Sequence, residues 1–385
     1  IKVSRSRIMT GSSSHFRINW WSWRLLGAVD LNNWSVHSYR YWAAVAFNIV
    51  ITSGFPISLI MVMFSFELPL ENLMNFNISV TSLATTVKFL IYVRQLQKVR
   101  KIEQIFTELD ARPRNESQEQ YFQRMSNELR LVTKIYKWAY AIITINSEIN
   151  FMFRSQRSLP FPAWFPLDWT ASLSNYSVAL TYQLIAISTQ IFQNFVDDLF
   201  PPLVLRLIAG HCELLIMRAS SIGHDGADRQ ANEQQLIRCI EDQQKLYKLI
   251  ELTKDIISWP LLMQFIVIAI DSGAALCALL FYVEIMQERL YYISFIFALA
   301  MQIFPVCYYG TGVEHLFERL HYAVFSSNWA DQSYAYRKNA LIFAERTQRT
   351  PKLLAGNLIP IALTTFVTNA KAAYSFCTLI ADIRS

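Results

Sequence analysis

Hydrophobic and polar residues follow one another along this chain in long blocks. Seven apolar blocks are each long enough to cross a bilayer as a helix, which takes roughly 20 residues. We number them as spans one to seven: residues 41–64, 75–93, 135–153, 176–200, 259–283, 290–313 and 356–380. Spans two, three and seven are the most polar, since they contain Lys88, Glu148 and Lys371. Polar spans of this kind more often line a cavity or pore than face lipid.

Composition supports an integral membrane protein. Hydrophobic residues make up 53% of the 385 residues and charged residues only 17%. Soluble domains carry about 25% charged residues. With no linker and no repeat in the sequence, we expect an all-α fold in one seven-helix membrane domain, 1–385. Its segments are an N-terminal segment 1–40, helices one to six with a ligand pocket in 41–313, an anchor 314–355 and a pore helix 356–385.

The distribution of Lys and Arg predicts the orientation. The segments before span one and after spans two, four and six hold 28 of the 35 basic residues. The opposite side holds Arg154, Arg157, Arg289 and Arg384. Because basic loops stay in the cytosol, the N-terminus is predicted inside and the C-terminus outside. G-protein-coupled receptors have the reverse orientation, which disfavours a metabotropic receptor. No inverted repeat suggests a transporter.

The loops on the basic side are predicted to be helical. Apolar residues recur at helical spacing in 233–255, and 329–349 also has a helical pattern that Pro351 is expected to end. Helices that continue past the membrane indicate a packed cytoplasmic anchor, where subunits can meet.

Enzyme, metal and cofactor signatures are weak or missing from the sequence. HExxH, GxSxG and Walker motifs are absent. One Glu-x-x-His, Glu318 to His321, lacks a second copy, and the five cysteines suggest neither a disulfide nor a zinc site. Asp271 in span five is either a structural hydrogen-bonding group or a functional one. The proline- and tryptophan-rich segment 159–169 is interpreted as an interfacial belt that also caps a ligand cavity.

One narrow stripe of span seven changes character along its length. On a helix of 3.6 residues per turn, the stripe comprises Thr365, Thr368, Ala372, Ser375, Leu379 and Ile383. It is small and polar except at the C-terminal end. A wet pore closed by an apolar ring fits this switch, although a helix–helix seam also favours small residues. Asp382 would place negative charge at the pore mouth.

The C-terminal third of the chain resembles the insect odorant receptors. The resemblance is carried by CYYGTGVEHLFERLHYAVFSSNW at 307–329, RKNALIFAERTQRTPKLLAG at 337–356 and TTFVTNAKAAYSFCTLI at 364–380. Weaker similarity covers FPLDW at 165–169, Asp198 and 237–281. The ending YSFCTLI resembles that of odorant-tuned subunits and differs from that of the shared co-receptor.

This resemblance implies a subunit of a tetrameric, non-selective cation channel in the plasma membrane of olfactory sensory neurons. Its expected partners are the co-receptor, a small volatile odorant, membrane lipids and permeating cations, with no cofactor and no nucleic acid. The pore and gate would involve Leu379, Ile383, Ser375 and Asp382. A gustatory-type receptor channel is the alternative. Odorant-binding residues are expected in the outer halves of the spans: Phe76, Ser79, Val80, Leu83, Ile145, Asn146, Ile149, Tyr176, Ala179, Gln183, Tyr291 and Tyr292.

Overall fold

The fold is a bundle of long helices. The computed structural model describes residues 11–28, 39–63, 69–152, 158–224, 226–281, 283, 286–348 and 350–384, without the side chains of 69–74, 146–152, 287, 288, 291, 376 and 379–384. A 3-10 helix, Ser12–Phe16, leads into α1 (Arg17–Leu25). The remaining elements are α2 (Tyr39–Phe47), α3 (Gly54–Ile60), α4 (Pro69–Asp110), α5 (Glu116–Met152), α6 (Leu173–Ser221), α7 (Arg229–Phe281), α8 (Met286–Ala323), α9 (Tyr334–Thr347), β1 (Leu354–Ala355), β2 (Ile359–Pro360) and α10 (Leu363–Arg384).

In the residues that the structure describes, each of the seven predicted spans lies mostly on a helix. Among the described residues, five helical segments are long and apolar enough to cross a membrane, and they cover all or most of spans one, two, four, five and six. Spans three and seven lie on α5 and α10, whose lower hydropathy agrees with their polar residues. Helix α7 has 53 residues, so it is about 80 Å long. The predicted helix 233–255 and span five are therefore one continuous helix.

Span one is interrupted by a π-helical turn, and proline explains the local bonding. Between α2 and α3 the backbone forms a π-helix over Asn48–Ser53. Pro56 has no N–H, so the carbonyl of Thr52 lacks its usual partner four residues later. The hydroxyl of Thr86 and the amide of Gln190 donate to this carbonyl instead, at 2.7 and 3.2 Å. The break thus ties span one to spans two and four.

The connections α4–α5, α6–α7 and α8–α9 meet at one end of the bundle, which we call the basic end. Asp242 of α7 is fully buried there and accepts from Arg112 at 2.9 Å and Arg218 at 2.7 Å. The amide of Asn328 donates to the carbonyl of Ile222 at 3.1 Å, which joins two of the connections. The helices are therefore packed together beyond the length of a span.

Helix α9 is docked on α7 at the basic end. The side chain of Gln243 donates to the carbonyl of Phe343 at 2.9 Å. The hydroxyl of Ser333 caps α9 by accepting from the amide of Tyr336 at 3.0 Å. The predicted helix 329–349 is thus confirmed in its middle. The helix is shorter than predicted, because α9 begins at Tyr334 and ends at Thr347.

A small hairpin precedes α10, so the predicted start of span seven at Gly356 is wrong. Gly356 and Asn357 both have positive φ, 59° and 58°, and the amide of Leu358 donates to Ala355 at 3.0 Å. Two such residues in succession make a type I′ turn, which joins β1 to β2. A Cβ on Gly356 would lie 2.3 Å from Leu262 on α7. A side chain at this position would require Leu262 to shift, so glycine suits both the turn and its contact with α7.

Gly310 of α8 allows the residue after this hairpin to approach closely. A Cβ at Gly310 would lie 2.0 Å from the carbonyl oxygen of Ile361, whereas a Cβ at Gly312 would meet nothing within 4 Å. Gly310→Ala should therefore destabilise the fold by about 1–3 kcal/mol through overpacking. Gly312→Ala is the matched control and should be neutral or slightly stabilising. Heating the detergent-solubilised variants before size-exclusion chromatography measures this difference, and equal melting of the two would contradict it.

Candidate functional site

A buried polar cluster joins five spans near the middle of the bundle. Lys88 of span two and Asp198 of span four form an ion pair at 2.9 Å, with side chains only 3% and 6% exposed. Lys88 also donates to Gln264 of span five, and Tyr140 of span three donates to Asp198. Gln264 in turn donates to Gln302 of span six at 2.8 Å. A buried charge pair is stable only with such additional hydrogen bonds.

Pro201 of α6, just past the end of span four, accounts for a second contact of this cluster. Pro201 lacks an N–H and leaves the carbonyl of Asp197 without its helical donor. The hydroxyl of Tyr92, on the same helix as Lys88, donates to that carbonyl at 3.2 Å. Sequence reasoning singled out Lys88 but gave Asp198 no role as its partner. Asp198 could have been recognised as a candidate partner of Lys88, since ionisable residues inside apolar spans usually pair with each other.

Asp271 has a hydrogen-bonding partner within the bundle. The hydroxyl of Thr81 in span two donates to its carboxylate at 2.8 Å, and Asp271 is buried. This bond fits the structural interpretation of Asp271. It also connects spans two and five about two helical turns from the Lys88 cluster.

The predicted odorant-binding residues occupy several environments. Ser79, Ala179 and Gln183 are buried, whereas Leu83 and Ile145 are largely exposed. Phe76, Val80, Tyr176 and Tyr292 are half-buried. The side chains of Asn146, Ile149 and Tyr291 lie outside the described residues. The buried members of the predicted set thus lie on spans two and four. Span one packs beside these two spans, although the prediction assigned it no residue of the site.

The segment 159–169 is fastened to spans one and four. Gln183 donates to the carbonyl of Phe161 at 2.7 Å and accepts from its amide at 3.2 Å. The amide of Trp164 donates to the carbonyl of Ser58 at 2.8 Å. Beneath it lies a separate apolar cluster that includes Phe55 and Ile187. These contacts support the predicted cap at the end of the bundle opposite the basic end.

An open cavity of about 860 Å³ lies elsewhere, between α1, α5 and α6. Its walls include Trp21 of α1, Lys137 of α5 and Phe192 of α6. None of the predicted odorant-binding residues whose side chains the structure describes lines this cavity. Sequence reasoning missed it because α1 packs against the bundle through buried Trp23, and nothing in the local pattern of 1–40 indicated that packing.

One face of α10 packs against the same chain. Among the side chains of α10 that the structure describes, the buried ones are Thr365, Asn369, Ala373 and Cys377, at intervals of four. The amide of Asn369 donates to the carbonyl of Phe265 on α7 at 2.8 Å. Thr365 was assigned to the predicted pore stripe, but it is buried and donates to the carbonyl of Pro360. That assignment is wrong for Thr365, because the hairpin folds against this first turn.

The other residues of the stripe whose side chains the structure describes do not pack against the rest of the chain. Thr368, Ala372 and Ser375 are exposed. Leu379, Asp382 and Ile383 lie on α10, but their side chains are outside the described residues. The small polar stripe is therefore available to other subunits or to water.

Comparison with known proteins identifies relatives over nearly the whole chain. The family model "7tm Odorant receptor" matches residues 68–374. The sequence is 44% identical over 369 residues to odorant receptor 23a of Drosophila melanogaster, covering 96% of each protein. It is 33% identical over 399 residues to odorant receptor 59a of the same species, covering 98% of this chain and 100% of that one.

Solved structures share the fold. The olfactory receptor OR5 from Machilis hrabei superposes with a TM-score of 0.78 at 14% identity, covering 90% of both chains. The same receptor in complex with eugenol gives a TM-score of 0.79, also at 14% identity, covering 96% of this chain and 99% of that one. At this identity the likeness shows the seven-helix fold alone.

Proposed function

Because the chain belongs to the 7tm odorant receptor family of insects, we propose that it is the odorant-binding subunit of a ligand-gated, non-selective cation channel. It is a multi-pass membrane protein and a receptor rather than an enzyme. Three features are proposed beyond family membership: an ion-conducting pore, a partner subunit and a site for the odorant.

The exposed stripe of α10 carries the channel proposal. α10 buries one face against its own chain and leaves Thr368, Ala372 and Ser375 uncovered. Lipid would favour apolar residues there, whereas a water-filled axis shared by several copies favours small polar ones. In this arrangement Leu379 and Ile383 form the apolar gate, and Asp382 attracts cations at the mouth.

Span five is well placed to couple ligand binding to the gate. Gln264 belongs to the cluster that joins spans two to six, and the next residue, Phe265, accepts from Asn369 of α10. A ligand shifts a conformational equilibrium only if it binds one state more tightly. Movement of spans two to six around Lys88 and Asp198 would therefore reach α10 through Phe265.

The odorant site is proposed in the half of the bundle opposite the basic end, below the segment 159–169. The comparison structure with eugenol supports a small, mostly apolar ligand. The contacts proposed are the twelve predicted residues on spans two, three, four and six. Substitutions at Phe76, Val80 and Tyr176 should change which odorants activate and leave ion permeability unchanged. Leu341→Ala, exposed on α9 and remote from the site, is the control, and equal effects at all four positions would exclude this site.

The proposed partner is the shared co-receptor, in a heterotetramer in the plasma membrane of olfactory sensory neurons. Segment 1–40 and the anchor 314–355 would lie on the cytosolic side of the membrane. Helices one to six in 41–313 would span the membrane, and the C-terminal end of 356–385 would lie outside. The charge distribution supports this orientation, and the docked α9 at the basic end supports a rigid anchor between subunits.

Expression in cells with and without a co-receptor tests the proposal. Co-expression should give odorant-evoked cation current that persists in excised outside-out patches, where soluble second messengers are lost. The chain alone and the co-receptor alone serve as controls, and odorant-evoked current should be small in both. A C-terminal tag should be stained on intact cells and an N-terminal tag only after permeabilisation. Current that disappears on excision would indicate a metabotropic receptor, and inverted staining would reject the orientation.

A further inference from the structure

The cavity between α1, α5 and α6 has a charged part and an apolar part. On α5, Arg130, Lys134 and Lys137 lie at i, i+4 and i+7, so they share one face of the helix. Arg17 faces the same cavity from α1. All four are exposed, and no Asp or Glu lines the cavity among the residues that the structure describes.

These four cations lack acidic partners within the described part of the chain. Some basic residues at the basic end are paired, such as Arg112 and Arg218 with Asp242. No comparable ion pair involves Arg17, Arg130, Lys134 or Lys137. Four unpaired positive charges around one concave surface favour an anionic ligand.

The charged and apolar parts of the cavity lie at different distances from the basic end of the bundle. α5 starts at the basic end, and Lys137 lies about 10 Å along it from Arg130. Beyond Lys137 the cavity continues for a similar distance past Ala141, alongside Ile191 and Phe192 of α6. Trp21 of α1 lies opposite. A ligand that fits must be negatively charged at the end nearer the basic end and apolar at the other.

His15 lines the same cavity as Arg130. Burial and then the positive charge of Arg130 lower the pKa of His15 to about 4. Its ring is therefore neutral at physiological pH and is hydrogen-bonded to Ser126 at 3.1 Å. An anion bound beside Arg130 would offset that charge.

We propose that this cavity binds an anionic phospholipid, with the phosphate and headgroup on Arg130, Lys134, Lys137 and Arg17 and an acyl chain along Ala141, Ile191 and Phe192. In the orientation proposed above, the charged part faces the cytosolic leaflet, where anionic lipids are concentrated. The lipid would hold α1 against α5 and α6.

Lipid binding to the purified full-length chain tests this site. Native mass spectrometry would measure binding of dioctanoyl phosphatidylserine, dioctanoyl phosphatidylcholine and glycerophosphoserine, which has the headgroup without acyl chains. Phosphatidylserine should bind best. Arg130→Gln/Lys134→Gln/Lys137→Gln should weaken it by roughly a hundredfold, at about fivefold per cation. The control Lys101→Gln/Arg124→Gln/Lys352→Gln removes three exposed charges that do not line the cavity and should leave binding unchanged.

A second variant tests the apolar part without altering charge. Ala141→Trp fills the space assigned to the acyl chain, so it should weaken phosphatidylserine binding and leave glycerophosphoserine binding unchanged. If the triple variant does not fold, Lys137→Gln alone should still weaken phosphatidylserine about fivefold. Equal losses in the triple variant and its control would overturn the site in favour of general charge attraction. Glycerophosphoserine binding as tight as the lipid, or unaltered lipid binding in Ala141→Trp, would overturn it as well.

Discussion

Lys88→Met is expected to remove most of the folded, surface-expressed receptor. Methionine keeps much of the length of lysine but leaves Asp198 buried without its positive partner. Breaking a buried ion pair by removing one member costs about 3–5 kcal/mol. Gln264 would also lose its contact with the ammonium group. Thermal unfolding of the solubilised protein and staining of intact cells measure the effect.

Two comparisons separate the loss of the buried pair from the loss of any lysine. Lys98→Met, on the same helix, breaks an ion pair with Asp255 whose side chains are 35% and 55% exposed, so it should cost no more than about 1 kcal/mol. Lys88→Met/Asp198→Asn removes both buried charges and should recover much of the lost stability. If Lys88→Met unfolds at the temperature of Lys98→Met, the cluster does not stabilise the bundle.

Leu379→Ser/Ile383→Ser is expected to raise the current that flows without odorant several-fold. These residues lie four apart on α10, so they stack on one face of the helix. A narrow apolar ring excludes water and blocks ions, because an ion that enters it must lose its hydration. Serine at both positions would hydrate the ring. Whole-cell recording with wild-type co-receptor measures resting and evoked current.

The matched control changes two apolar residues on another face of the same helix. Val367 and Tyr374 are 51% and 63% exposed and point away from the stripe. Val367→Ser/Tyr374→Ser should therefore leave the resting current unchanged. Unaltered resting and evoked currents in the Leu379/Ile383 variant at normal surface expression would place the gate elsewhere.

The sequence by itself determined the number and character of the spans. Bilayer thickness sets the length of an apolar block, and hydropathy is a sum over neighbouring residues. The number of spans and their polarity can therefore be inferred from short stretches of sequence. The same is true of the polar nature of spans two, three and seven and of the small polar stripe from Thr368 to Ser375. Local chemistry also allowed Gly356 and Asn357 to form a turn, although the hydropathy of the region favoured a helix.

Only the tertiary structure decided which faces and charges meet. Lys88 and Asp198 are 110 residues apart, and Asn369 reaches Phe265 across 104 residues. Thr365 is buried, unlike the other described residues of the stripe, because the hairpin packs on α7 and α8. Helical periodicity contains no information about that packing. The cavity proposed to bind a lipid likewise exists because α1 docks against α5 and α6. A sequence pattern specifies what each face prefers, whereas the partner of a face depends on how distant helices pack together.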